Sequence, residues 1–81
     1  MTLHPTTPPP HGHWTTMWGN PFTGRKIQIV DNRNNLIASF VNVNHDWVHM
    51  PLPPHSWILR LTEDEAAACC RLLNEWEKET T

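Results

Sequence analysis

The sequence predicts an α+β fold: a three- to four-stranded antiparallel β-meander, one C-terminal α-helix packed on one face, and a disordered N-terminal arm. Three observations support this prediction. Residues 25–42 alternate in polarity on both sides of a turn-forming stretch, as a β-hairpin does. Residues 63–78 carry an apolar stripe of helical period behind a capping sequence. Residues 1–13 are rich in proline and histidine and poor in large apolar side chains.

Length and composition limit the chain to one small domain, expected over residues 14–81. The 81 residues are 38% hydrophobic and carry a formal net charge of −2, which argues against bulk electrostatic binding to nucleic acid or to an anionic membrane. No apolar run approaches the roughly 20 residues of a membrane span, and the first residues lack the pattern of a signal peptide. The two cysteines are adjacent, which disfavours a disulfide between them and indicates a cytoplasmic location.

The arm, residues 1–13, is expected to be mobile, because its Pro8-Pro9-Pro10 run favours extended polyproline II and nothing in it can form a core. Residues 14–23 then bring several large apolar side chains close together, among them Trp14, Met17 and Trp18. Two interpretations of this segment stay open. It packs over one face of the sheet and closes the core, or it exposes an aromatic patch that anchors a partner.

The hairpin is predicted from two strands, residues 25–30 and 36–41, around the turn-forming residues 31–35. On the second strand, strict alternation places Leu36, Ala38 and Phe40 on one face and Ile37 and Val41 on the other. Residues 47–50 are a candidate third strand after a turn at residues 44–46. Residues 57–61, which follow a pair of prolines, are predicted as a further strand leading into the helix.

The helix is predicted over residues 63–78. Thr62 and Glu65 have the spacing of a capping box, and acidic residues occupy the first turn, where the helix dipole is positive. The residues expected on the buried stripe are Ala66, Cys69, Cys70, Leu72, Leu73 and Trp76.

Catalytic and metal-binding patterns are weak, so the chain is predicted not to be an enzyme and to need no cofactor. His45 and His49 would point the same way about 13 Å apart on a strand, too far for one ion. The cysteines lack CxxC spacing, and no serine, histidine and acid are arranged as a triad. One weak metal site is expected at His4: after removal of Met1, the new amino terminus and this imidazole could surround Cu(II) or Ni(II).

The functional prediction is a non-catalytic module that binds another protein and modulates or inhibits it, a kind of small protein common on phages and mobile elements. The expected contact residues lie before the hairpin and on the acidic helix: Trp14, Met17, Trp18, Glu75, Glu77 and Glu79. Self-association through an edge strand is a further expectation. The alternative is a single-stranded nucleic-acid binder that uses cations of the hairpin, namely Arg25, Lys26 and Arg33.

Overall fold

A computed structural model describes residues 4–18, 25–52 and 59–80, without the side chains of Met17, Trp18 and Thr80. It contains one four-stranded antiparallel sheet in the order β1-β2-β3-β4, followed by helix α1. The elements are β1 His13–Trp18, β2 Arg25–Val30, β3 Leu36–Val43, β4 Asp46–Met50 and α1 Glu63–Thr80. The predicted α+β meander with a C-terminal helix is confirmed, and the helix extends two residues beyond its predicted end.

The turns of the meander follow from their residues. Between β2 and β3, the Asp31 carboxylate accepts hydrogen bonds from the backbone N–H groups of Arg33 and Asn35. The bond from the Asn35 N–H is the main cause that lowers the pKa of Asp31. Between β3 and β4, Asn44 and His45 both have positive φ angles of 51° and 69°. Two consecutive positive φ angles form a type I′ turn, which matches the twist of the strands and fixes their register.

A β-bulge corrects the predicted faces of β3. Ile29 pairs with Ala38, but the next residue, Val30, pairs with Leu36, so Ile37 is an extra residue. Strict alternation would place Ile37 opposite Ala38, whereas both belong to the buried core beneath the helix. The bulge therefore adds the large aliphatic side chain of Ile37 to the core near the start of β3.

The first strand is the main difference from the predicted arrangement. Residues 14–18 do not form a separate cover over the sheet; they pair with β2, with Trp14 opposite Ile29. Aromatic and β-branched residues suit a pleated strand, and Trp14 still closes the core from within the sheet. The predicted strand 57–61 falls partly outside the described residues, and its described part, residues 59–61, lies in no strand. Leu61 packs on the core just before the helix instead.

The core lies between α1 and one face of the sheet. The capping box is present: Thr62 N–H donates to Glu65, and Glu65 N–H donates to the Thr62 hydroxyl. Trp14 and Phe40 meet edge to face with ring centroids 6.2 Å apart. The core cluster consists of Trp14, Ile27, Ile29, Ile37, Ala38, Phe40, Trp47, Cys69, Leu73 and Trp76.

Residues 4–12 form no helix or strand, which agrees with the predicted arm. They nevertheless contact the domain, because Pro5 and Pro9 are buried and the Thr7 carbonyl accepts the indole N–H of Trp14 at 2.7 Å. His11 lies 2.9 Å from the carboxylate of Glu65 at the start of α1. The mobility expected of the arm therefore stays a prediction.

Candidate functional site: the open face of the sheet

The face of the sheet opposite α1, called the open face here, carries exposed aliphatic side chains. Because paired residues in an antiparallel sheet point to the same side, the register places Lys26, Val41 and Val48 in one row across β2, β3 and β4. Ser39 and Met50 form the neighbouring row, and Val43 pairs with Asp46. Val41, Val43, Val48 and Met50 form what we call the apolar patch.

The exposure of the apolar patch follows from the alternation of β4. Trp47 is buried against the helix and His49 stacks near Phe40, so Val48 and Met50 must point to the other face. Val43, Val48 and Met50 retain 49%, 41% and 40% of their accessible surface, and Val41 is half-buried. Single exposed apolar residues are ordinary on protein surfaces, but a contiguous group of them on one face of a sheet is a candidate contact surface.

Two opposite charges flank the apolar patch. Lys26 lies on the β2 side of Val41, and Asp46 lies at the end of β4 beside Val43. Neither forms an ion pair with another described residue. The apolar patch thus occupies β3 and β4, with a cation beside it on β2 and an anion at the end of β4.

Of the predicted contact residues Trp14, Met17 and Trp18, only the side chain of Trp14 lies in the described part of the chain. Trp14 is only 6% exposed and belongs to the core, so it is not available to a partner in this fold. The structure therefore supports the core interpretation for Trp14. Met17 and Trp18 lie in β1, and their side chains are outside the described part of the chain.

The predicted acidic contact residues of the helix also differ in exposure. Glu75 and Glu79 are exposed, but Glu77 is 7% exposed and faces the sheet. One oxygen of Glu77 pairs with the guanidinium of Arg25, and the other accepts the indole N–H of Trp47 at 3.4 Å. Arg25 also lies 5.6 Å from the centroid of the Trp47 ring. Glu77 therefore joins α1 to β2 and β4 and is buried, unlike Glu75 and Glu79; a contact of Glu77 with a partner stays a prediction.

The three cations expected to bind nucleic acid do not form one surface. Arg25 is on the helix side of the sheet, with its charge directed to Glu77. Lys26 is on the open face, and Arg33 is exposed in the turn between β2 and β3. The described tryptophans and Phe40 are all buried, so among these residues no aromatic ring is available for base stacking.

The two edges of the sheet differ. On β4, the backbone N–H of Trp47 donates to the amide oxygen of Asn74 at 2.8 Å. A side chain of α1 therefore satisfies one N–H group of this outer edge. The predicted pairing of edge strands is thus obstructed at β4. The outer edge of β1 makes no backbone hydrogen bond to another described residue.

The described residues show no assembled chemical site. Burial raises the pKa of the Cys69 thiol to about 11, and burial also raises that of Cys70, so neither is activated as a nucleophile. A cavity of about 390 Å³ lies between Ile37, His49 and the residues that precede the helix, and burial lowers the pKa of His49. No group of three or more potential metal ligands occurs among the described residues.

His4 has its ring Nδ1 3.0 Å from the Pro5 carbonyl; the residues that precede it in the proposed copper site lie outside the described part of the chain. Within residues 4–18, 25–52 and 59–80, no helix has the length and apolar character needed to cross a membrane.

Sequence reasoning did not identify the apolar patch. Its signal is the alternation Asp46-Trp47-Val48-His49-Met50, in which Val48 and Met50 are opposite Trp47. Recognising it requires knowing that β4 closes the sheet and that the helix covers the Trp47 side only. Comparison with protein-family models, with curated protein sequences and with solved structures gave no match.

Proposed function

We propose that this chain is a non-catalytic protein-binding module and that the open face of the sheet is its contact surface. The observation that carries the proposal is the apolar patch, in which Val43, Val48 and Met50 of β3 and β4 stay two-fifths to one-half exposed. A module of this kind acts by occupying a surface of its partner, and that is how it would modulate or inhibit the partner.

The apolar patch can supply part of the binding free energy of such a complex. Full burial of one large aliphatic side chain contributes roughly 1.5–3 kcal/mol, so burying the exposed halves of three such residues contributes about 3 kcal/mol. Contacts from Val41 and the surrounding polar residues add to this. The exposed acids of the helix, Glu75 and Glu79, then influence the rate of association more than the affinity.

The alternative, binding of single-stranded nucleic acid, receives less support from the same residues. Such binders combine stacking aromatic rings with a basic groove. Here the described aromatic rings are inside, Arg25 is committed to Glu77, and Lys26 and Arg33 lie apart.

The test is affinity capture from a source-cell lysate treated with nuclease, using the full chain and two variants of matched chemistry. Val48→Lys places a charge in the apolar patch, and Glu75→Lys places the same side chain on the exposed surface of α1. We expect the wild type and Glu75→Lys to retain the same protein and Val48→Lys to lose it, with all three folded by circular dichroism.

If Val48→Lys captures the protein as well as the wild type does and Glu75→Lys loses it, the contact surface would be the acidic helix and not the open face. If nuclease treatment removes every captured protein from all three samples, the result would favour the nucleic-acid alternative.

A further inference from the structure

We infer that the surface beneath the arm is a binding site for a proline-rich segment, and that the arm of the chain itself occupies this site as an intramolecular ligand. The site, called the arm site here, is formed by Trp14 of β1, the end of β2 at Val30 and Glu65 in the first turn of α1. Its residues are not those of the open face, so this inference does not rest on the proposed function.

The arm is folded back onto the domain by a turn just before β1. Residues 10–11 lie in a turn, and His11 has a positive φ angle of 65°. Gly12 then passes so close to the backbone of Val30 that a side chain would not fit between them. The chain therefore reverses direction, and Thr7 comes to lie beside the indole N–H of Trp14.

The contacts of the arm are of the kind that proteins use to bind proline-rich segments. Such segments have few internal hydrogen bonds, so their carbonyl groups can accept bonds from the receptor while proline rings pack beside an aromatic side chain. Here the Thr7 carbonyl accepts the indole N–H of Trp14 at 2.7 Å. Pro5 and Pro9, two residues before and two residues after Thr7, are buried. The arm thus presents one carbonyl between two buried rings.

The attachment of the arm differs from that of the strands. Residues 4–12 form no ladder with β1, and their ion pair, between His11 and Glu65 at 2.9 Å, has side chains that are 40% and 30% exposed. Exposed pairs contribute little to stability, so the arm can leave the arm site while the sheet and the helix stay folded.

Departure of the arm leaves a site of defined chemistry. It frees the indole N–H of Trp14 and uncovers the surface that the two buried prolines occupy. A ligand must then supply both a carbonyl for the donor and apolar rings beside it, because a buried donor without a partner is costly. A proline-rich segment of a partner protein has this chemistry and would compete with the tethered arm.

The first experiment tests the docking of the arm in the full chain, with hydrogen exchange of the Trp14 indole proton followed by NMR. Pro9→Ser removes a buried ring, and Pro8→Ser makes the same change at the exposed neighbouring position. We expect Pro9→Ser to accelerate exchange by about tenfold or more and Pro8→Ser to change it by less than about threefold, because only the buried ring holds the arm on the indole. Equal exchange rates in the two variants would overturn the inference.

The second experiment supplies the ligand from outside. A synthetic peptide of residues 4–12 with blocked ends is titrated into the wild type and into Pro9→Ser, with the Trp14 indole signal as the readout. The peptide should bind Pro9→Ser about tenfold more tightly than the wild type, whose tethered arm competes at a millimolar effective concentration. A control peptide with serine in place of both buried prolines should not bind. Val48→Lys, on the open face, should bind the peptide as the wild type does.

A Pro9→Ser chain that releases its arm but does not bind the peptide, or that binds the serine peptide equally well, would overturn the site and leave the arm as a cover of the core. If Pro9→Ser does not fold, His11→Ala replaces it, because this exposed substitution loosens the arm only at Glu65. The peptide should then bind His11→Ala about twofold more tightly than the wild type, and an unchanged affinity would overturn the inference.

Discussion

The Glu77 carboxylate should be one of the most important polar groups for stability, although it lies next to exposed acids on the same helix. We predict that Glu77→Ala destabilises the fold, because its two oxygens bind Arg25 of β2 and the Trp47 indole of β4. Removing the carboxylate takes away a polar contact that links α1 to both β2 and β4. It also leaves the guanidinium of Arg25 over the Trp47 ring without its counter-ion.

The magnitude can be worked from the burial of each partner. A buried hydrogen bond to a charged group contributes roughly 1.5–3 kcal/mol. The Arg25 side chain is 38% exposed, so water can solvate the freed cation, and the loss falls toward the lower part of that range. The indole bond, at 3.4 Å, is long and adds little. We therefore expect a loss of about 2 kcal/mol, or a decrease in Tm of about 10 °C for a domain of this size.

The assay is urea unfolding followed by tryptophan fluorescence, with a double-mutant cycle. Glu77→Ala, Arg25→Met and the double variant should give a coupling energy of about 1 kcal/mol or more. Glu79→Ala, at an exposed position two residues further on, should change the free energy of unfolding by less than about 0.5 kcal/mol. A loss equally small for Glu77→Ala, or a coupling energy near zero, would refute the role assigned to this ion pair.

Three further predictions concern the edge, the start of β1 and the cavity. Asn74→Ala removes the acceptor of the Trp47 N–H, so it should cost about 1–2 kcal/mol and accelerate hydrogen exchange of that amide. Gly12→Ala places a methyl group against the backbone carbonyl of Val30 in β2. In a domain this small, the resulting strain should lower Tm by about 10 °C or more. Burial lowers the pKa of His49, so the unfolded chain binds a proton at this residue at a higher pH than the folded chain does. The free energy of unfolding should therefore fall as the pH decreases below about 6.5. Between about pH 7.5 and 5.5, a plot of this free energy against pH should have a smaller slope for His49→Phe than for the wild type.

Local rules were sufficient for the hairpin and the helix. The alternation of residues 25–30, the polar turn after them and the Thr62–Glu65 capping box each involve neighbours in sequence, and the structure confirms each of them. The apolar stripe of the helix is likewise buried as predicted, because the period of a helix is independent of what it packs against.

Features that depend on contacts between distant residues were not predictable in the same way. The bulge at Ile37 shifts a side chain to the other face, and nothing in the sequence of β3 alone signals it. The pairing of Glu77 with Arg25 joins residues 52 positions apart, so the periodicity of the helix could not show it. Trp14 enters the core because β1 pairs with β2, whereas sequence reasoning left its segment either as a cover over the core or as an exposed patch.

The candidate site depends on the same kind of information. The exposure of Val48 and Met50 could be derived from the burial of Trp47 once β4 is known to be a strand. That the valines and Met50 of β3 and β4 stay exposed depends on α1, the one helix among the described residues, lying on the Trp47 side of the sheet. Sequence reasoning therefore named the helix acids Glu75 and Glu79 as contacts and did not name the aliphatic residues of the sheet.

The measurement that most directly tests the open face as the contact surface is an NMR experiment on the isotope-labelled full chain. Amide and methyl spectra are recorded over a dilution series and again after addition of any protein captured from the lysate. The largest shift changes should fall on Val41, Val43, Val48 and Met50. Changes confined to α1 around Glu75 and Glu79, with the valine methyl signals unmoved, would contradict the proposed contact surface.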